Sequence, residues 1–258
     1  MKLVRYLYQK QIRHGIVRGN AIHPITGSLY ETWKETGEPV AVEDVQLLAP
    51  LIPNKLIGIG LNYAAHAEET GKPLPDEPMM FMISPTAVIG PEASIVLPNV
   101  DDRIDHEAEL AVVIGKRGKN IPAERATNYI LGYTCANDVS NRVLQKKDGQ
   151  FTRAKSFDSF KPLGPVIETE LDPSDLEVVC RVNGDVRQKG RTSDLIHSVP
   201  ELIAHISSVF PLEPGDVILT GTPSGVGPLS PGDQVEVEVE GIGVLANRVL
   251  GPLEHMAL

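Results

Sequence analysis

The segment Ile104-Asp105-His106-Glu107-Ala108-Glu109-Leu110-Ala111-Val112-Val113-Ile114-Gly115 constrains this chain more than any other stretch. Its tail is apolar and β-branched and Gly115 stops it, the pattern of a strand. Residues two apart on a strand share a face. Glu107 and Glu109 therefore project side by side, from a segment that reads as half-buried. Two carboxylates so close repel, and one must hold a proton unless a cation lies between them. Mg2+ or Mn2+, with Ca2+ as a further hard-cation option, resolves that conflict, because these ions take carboxylate and water oxygens. Asp138 follows a second apolar run, 129–136, and stands where a third carboxylate would reach the mouth of the same site. Alternating acids on a strand are most often a solvated face, so the pair gains weight only from what accompanies it.

The rest of the chain is punctuated as often as a strand-rich fold demands, with 21 Pro and 23 Gly in 258 residues. Many short strands joined by turns fit that spacing better than long helices. Residues 1–50 read as a small β-rich N-terminal domain, closed by Ala49-Pro50-Leu51-Ile52-Pro53, and 51–258 as the catalytic domain. Short helices are expected at 62–69, with Asn62 as cap, at 122–128, and at 198–209, where Pro follows the Ser198 cap. Residues 62–78, the first of these helices and the Gly- and Pro-rich chain after it, read as a mobile lid. Residues 163–183 and 215–250 read as strands.

A formal net charge of −10 gives no support to a nucleic-acid or anionic-membrane partner. No window approaches a membrane span, and the apolar stretch at the start is too short for a signal peptide, so a cytoplasmic protein is expected. Cys135 and Cys180 sit in apolar runs and read as buried free thiols rather than a disulfide.

Three constellations carry chemistry. Gly58-Ile59-Gly60 lacks a third Gly in register and a Lys-Ser/Thr, so it is not a phosphate loop. Just beyond it, His66 and Glu69 are three apart and neighbours on one helical face. A Glu beside a His fixes its tautomer and raises its basicity, the layout of a pair that activates water. Arg142, four after Asp138, suits a substrate carboxylate through its planar fork, and Lys155 suits a developing enolate charge. Each of these is also, taken alone, an ordinary surface group. The loop Thr220-Gly221-Thr222-Pro223-Ser224-Gly225-Val226-Gly227 offers backbone N–H groups and hydroxyls to an oxyanion, or is a structural turn. Without a Gly-x-Ser-x-Gly and with both cysteines in apolar runs, covalent serine or thiol catalysis is disfavoured.

Taken in order, Gly60-Leu61-Asn62-Tyr63 with His66, Phe81 to Gly90, His106-Glu107-Ala108-Glu109-Leu110, Gly132-Tyr133 with Asp138-Val139, Ala154-Lys155-Ser156-Phe157, Val182-Asn183-Gly184, Gln188 and Thr220 to Gly227 resemble the fumarylacetoacetate hydrolase family over about 55–250. The resemblance implies an α+β, β-rich fold, a mixed β-sandwich roll with a small N-terminal β domain, and a homodimer. It implies a Mg2+ or Mn2+ site at Glu107, Glu109 and Asp138. Catalysis falls to His66, Glu69 and Lys155, and substrate binding to Arg142, Gln188 and Thr222. The small-molecule substrate is then a 2-oxo acid or dicarboxylate. The activity implied is hydrolysis of a C–C bond in acylpyruvate-type 2,4-dioxo acids through an enolate. The rivals are a 2-hydroxyhepta-2,4-diene-1,7-dioate isomerase or an oxaloacetate-type decarboxylase, and, from another class, a non-catalytic metal-binding protein on this scaffold. One departure stands out: many members carry Lys where this chain has Ile83.

Overall fold

Strand pairing joins the described residues into three sheets. In the computed structural model, which describes residues 1–69, 71 and 73–252, the largest sheet has 13 strands. Its path runs Trp33–Glu35, Ala21–Gly27, Gln11–Arg18, Lys2–Tyr8, Lys161–Glu168, Ile130–Asn137, Ala108–Ile114, Val217–Leu219, Leu56–Gly60, Met79–Ile83. A five-stranded sheet runs Ile95–Val96, Gly243–Leu250, Gln234–Val239, Glu177–Val182, Asp185–Arg191. A three-stranded sheet joins Ser140–Asn141, Ile104–His106 and Gly227–Pro228. This is the β-rich fold expected.

The core lies between the two larger sheets. Leu110, Val112 and Cys135 pack in one cluster with Val178, Cys180, Val237 and Leu245. The other face of the same strand sends Ala111 and Val113 into a second cluster with Leu56, Leu163, Val217 and Leu219. Ala108–Ile114 is thus covered on both sides, which explains its continuous apolar run. Both cysteines are buried and free. The strand-rich first 50 residues continue the large sheet, through the register pairs Lys2 with Glu168 and Leu3 with Ile167.

Several expectations need correction. The run 104–115 is two strands rather than one. Ile104–His106 pairs with 140–141 and 227–228, whereas Ala108–Ile114 pairs with 130–137 and 217–219. The chain changes sheets at Glu107. Nor is the segment half-buried: every residue from Ile104 to Ile114 is buried. The first helix is Ala64–Glu69, and Asn62 stands outside it. The Asn62 amide donates to the His197 and Thr220 carbonyls, and its oxygen accepts from the His197 N–H. Gly221, at φ 101°, lets this loop approach, since a Cβ there would lie 2.7 Å from Asn62 Cβ. The segment expected at 122–128 is a 3-10 helix, Ala123–Tyr129. Val199–Val209 is helical as expected, with Ser198 as cap and Glu201 accepting from its N–H. Two further helices, Arg142–Asp148 and Thr152–Lys155, are not among the elements expected from the sequence. Asn141 caps the first by accepting from Leu144 N–H, and Gly149 closes it in the left-handed region.

Gly58 and Gly60 have a packing role. A Cβ at Gly58 would meet the Phe81 ring at 2.3 Å, and one at Gly60 would meet Met79 Cε at 2.3 Å. Thr70 and Lys72, in the stretch read as a lid, and 253–258 lie outside the described residues. No helix among the described residues is long and apolar enough to cross a membrane.

Candidate active site

Where the chain leaves the small sheet for the large one, its side chains gather round a cavity of about 310 Å³. Glu107, at the junction between Ile104–His106 and Ala108–Ile114, and Glu109, inside the second of these strands, flank Ala108. Ala108 pairs with Asn137 in the adjacent strand, and the Asp138 N–H donates to the Glu107 carbonyl at 2.8 Å. That ladder end sets Asp138 beside the pair. One carboxylate oxygen from each of Glu107, Glu109 and Asp138 lies within 4.8 Å of the others, and all three residues are buried. Asn137 Oδ1 accepts from Glu107 N–H, and the Gly221 N–H donates to Glu109 Oε2 at 2.7 Å.

Cations surround this cluster. Lys155 Nζ donates to Glu107 Oε2 at 2.7 Å and also contacts Asp138 Oδ2. Arg142 donates from Nη2 to Glu107 Oε1 at 2.6 Å and from Nε to Asp105 Oδ2 at 2.8 Å. Lys161 Nζ lies 2.9 Å from Asp138 Oδ1, although its hydrogen bonds go to the Val139 and Phe160 carbonyls. Burial opposes charge on Glu107, but Arg142 and Lys155 hold its carboxyl well below the usual carboxylate range. Burial, and then Asp138 and Glu107, push Glu109 well above that range. Lys155 is desolvated as well, yet Asp138 and Glu107 raise its pKa. Burial brings Lys161 down to about 8.

This donor set fits a hard divalent cation. Three carboxylates converge, and burial together with the charges of Asp138 and Glu107 makes Glu109 resist ionisation. An ion at Glu107, Glu109 and Asp138 relieves that resistance, and all-oxygen ligation suits Mg2+, Mn2+ or Ca2+.

His66 lines the same cavity, on the helix Ala64–Glu69. Its Nδ1 is 3.2 Å from Glu69 Oε2, and both Glu69 oxygens are 3.2 Å from the Gly225 N–H. Glu69 thus ties the His66 helix to the Thr- and Gly-rich loop. That loop's N–H groups at Gly221 and Gly225 face protein carboxylates. Thr222 lines the cavity, but its hydroxyl donates to the Ala108 carbonyl at 2.8 Å and accepts from Gln188 Nε2 at 2.7 Å. Gln188 is buried behind the cavity wall. Its Oε1 accepts from Ala108 N–H at 3.0 Å and lies 2.9 Å from His106 Nδ1, and its Nε2 also reaches the Pro223 carbonyl. It braces the loop against the strand carrying the carboxylates. Ile83 belongs to the second core cluster, with Leu56.

Arg103, Asp105 and Gln145 also line the cavity, and none of them was singled out from the sequence. The signal for two was present: Arg103, Asp105, Glu107 and Glu109 alternate at every second position. Gln145, one turn after Arg142, needed the unrecognised helix. Its Oε1 accepts from Arg142 Nη1 at 2.9 Å.

Comparison with known proteins agrees with this architecture. Residues 55–250 match the family model "Fumarylacetoacetate (FAA) hydrolase C-terminal", and residues 1–50 match "Rv2993c-like, N-terminal". The solved structure of 5-carboxymethyl-2-hydroxymuconate delta-isomerase from Mycobacterium smegmatis superposes with a TM-score of 0.92 at 46% identity, covering 97% of this chain and 100% of that one. A mitochondrial oxaloacetate tautomerase of Bos taurus is 43% identical over 80% of this chain and 70% of its own length. Maleylpyruvate hydrolase from Sphingobium sp. SYK-6, solved with manganese(II) and pyruvate, superposes with a TM-score of 0.82 at 30% identity, covering 97% of this chain and 99% of that one.

Proposed function

This chain belongs to the fumarylacetoacetate hydrolase family, and from that membership we propose that it is a divalent-metal-dependent enzyme that hydrolyses a C–C bond in acylpyruvate-type 2,4-dioxo acids. The observation that carries the reading is that His66, paired with Glu69, lines the same cavity as Glu107 and Glu109 of the carboxylate cluster. Bound at Glu107, Glu109 and Asp138, Mg2+ or Mn2+ supplies Lewis-acid polarisation of the 2-oxo acid.

The protein's own groups supply the rest. Glu69 accepts from His66 Nδ1–H, which leaves the basic lone pair on Nε2. That nitrogen takes a proton from a water aimed at the distal carbonyl of the substrate. Lys155 keeps its charge at the cavity wall and offsets the negative charge of the departing enolate. Gln188 holds the Thr222 loop against Ala108, so the wall facing the substrate stays fixed.

A second reading, keto–enol isomerisation of a 2-oxo diacid, is favoured by the isomerase and tautomerase relatives, which are more similar than the hydrolase. It uses the same enolate and omits the attack of water. A panel of acylpyruvates, enol-oxaloacetate and the hydroxydienedioate, assayed with Mn2+, separates the two. Release of pyruvate from an acylpyruvate supports hydrolysis. Tautomerisation without pyruvate release transfers the proposal to the second reading.

A further inference from the structure

Three cations line the cavity, and they are committed to very different extents. Lys155 is spent on Glu107 and Asp138. Arg142 uses all three of its nitrogens, on Asp105, Gln145 and Glu107. Arg103 uses only Nε, which donates to Asp105 Oδ1 at 2.8 Å. Among the described residues its Nη1 and Nη2 have no protein partner. Asp105 is 1% exposed while the Arg103 side chain is 57% exposed. The buried carboxylate already has one full partner in Arg142 through its other oxygen. It therefore acts as a pivot: one oxygen locks Arg142 into the site, and the other fixes the root of the Arg103 guanidinium at the cavity rim. An exposed Arg spends considerable side-chain entropy to hold one position, and here a buried acid has already met part of that cost.

We propose that Arg103 is the specificity residue for substrates with a second carboxylate, receiving that distal group on Nη1 and Nη2 while Asp105 orients it. The inference rests on the 2-oxo acid reading above and narrows it to 2-oxo dicarboxylates. A guanidinium edge with two parallel N–H donors matches a carboxylate in geometry and charge. The cavity, about 310 Å³, stands at the small end of the range for ligand pockets, roughly 300–1,000 Å³. That size suits a short diacid better than a long acyl chain. The cations nearer the carboxylate cluster are held by protein acids, so the distal carboxylate of a diacid meets its best unused donors at Arg103.

The test is a set of 2-oxo diacids of increasing length, each paired with the 2-oxo monoacid lacking the distal carboxylate. Binding to the Mn2+-loaded protein is measured by titration calorimetry, so the result does not depend on turnover. Wild type should bind at least one diacid more tightly than its monoacid partner. Arg103→Gln should weaken that diacid by about 10- to 100-fold, the range for a lost charge-assisted pair, and leave the monoacid and oxalate within about threefold. Arg103→Lys should recover part of the preference. No diacid preference in wild type, or equal weakening of diacid and monoacid, overturns the proposal. If the wild type binds as expected yet turns over none of these acids, the hydrolase and isomerase readings fail and the Arg103 assignment stands.

Discussion

His66 and the carboxylates Glu107 and Glu109 line a single cavity, but the two parts of the site are built differently. Glu107, Glu109 and Asp138 sit in or at the ends of paired strands, are buried, and are braced by Lys155, Arg142, Asn137 and the Gly221 N–H. His66 and Glu69 ride on the six-residue helix Ala64–Glu69, where the Glu69 side chain is 39% exposed. A helix that short is marginal by itself and takes its position from contacts such as Glu69 with Gly225. The half that must gather like charges is rigid, because only a fixed frame holds carboxylates together against their repulsion. The half that must move a proton rests on one short helix, with His66 and Ala67 buried and Glu69 at the surface.

Substitutions should separate the two halves. The largest effect is expected from Glu109→Ala or Asp138→Ala. Either should abolish turnover and lower the bound metal measured by elemental analysis, with the circular dichroism spectrum unchanged. Retained metal in both variants would break the contrast. His66→Ala should instead keep the metal and lose roughly 10²-fold or more in hydrolysis, the usual scale for a general base. Exchange of the C3 protons of a bound 2-oxo acid with deuterated solvent should persist, since a solvent base can take that proton and no attack of water on a carbonyl is involved. Normal acylpyruvate hydrolysis by this variant would make the His66–Glu69 pair a bystander and bring the isomerase reading forward.

The two halves should also differ in their response to pH. Burial, then Asp138 and Glu107, raise the Glu109 pKa in the folded protein. A raised carboxyl contributes stability below its unfolded pKa, and that contribution is lost as pH rises through the folded value. An ion at this site reverses the preference, because it needs the ionised form. Mn2+ affinity should therefore climb with pH, by about tenfold per unit while Glu109 still holds its proton. Calorimetry in buffers of different ionisation enthalpy should register the released proton. Affinity independent of pH would show that Glu109 is already ionised. The smallest effect expected is Asn141→Ala, which removes the cap of the helix carrying Arg142 and the amide hydrogen bond to Asp102, and should cost about 2 kcal/mol in chemical denaturation. An effect below a few tenths would mean that tertiary contacts alone hold that helix.

What the sequence revealed divides along similar lines. The carboxylates were legible because strand alternation puts every second side chain on one face, and the apolar residues after Glu109 mark the strand. The same alternation continues back through Asp105 to Arg103, but a sheet change at Glu107 is a tertiary event with no local signature. His66 and Glu69 were legible from helical spacing. The helix Arg142–Asp148 was missed although Asn141 and Gly149 mark both ends, because its charged residues mask any apolar periodicity. Asn62 looked like a cap and is a buried bridge, since its partners, His197 and Thr220, lie more than 130 residues away in sequence. The hydrogen bonds by which Gln188 and Thr222 brace the site from within have no local mark in the sequence, because the two residues are 34 apart and meet only through the fold.

Exhaustive chelation tests the central claim most directly, the claim that the buried carboxylates hold a divalent cation on which turnover of 2-oxo acids depends. Turnover of the substrate panel would be measured before chelation, after it, and after adding Mn2+ or Mg2+ back. Activity should vanish with the metal and return with it, and Glu109→Ala should not respond to the addition. Full activity in the chelated wild type, with metal absent by elemental analysis, would contradict the account.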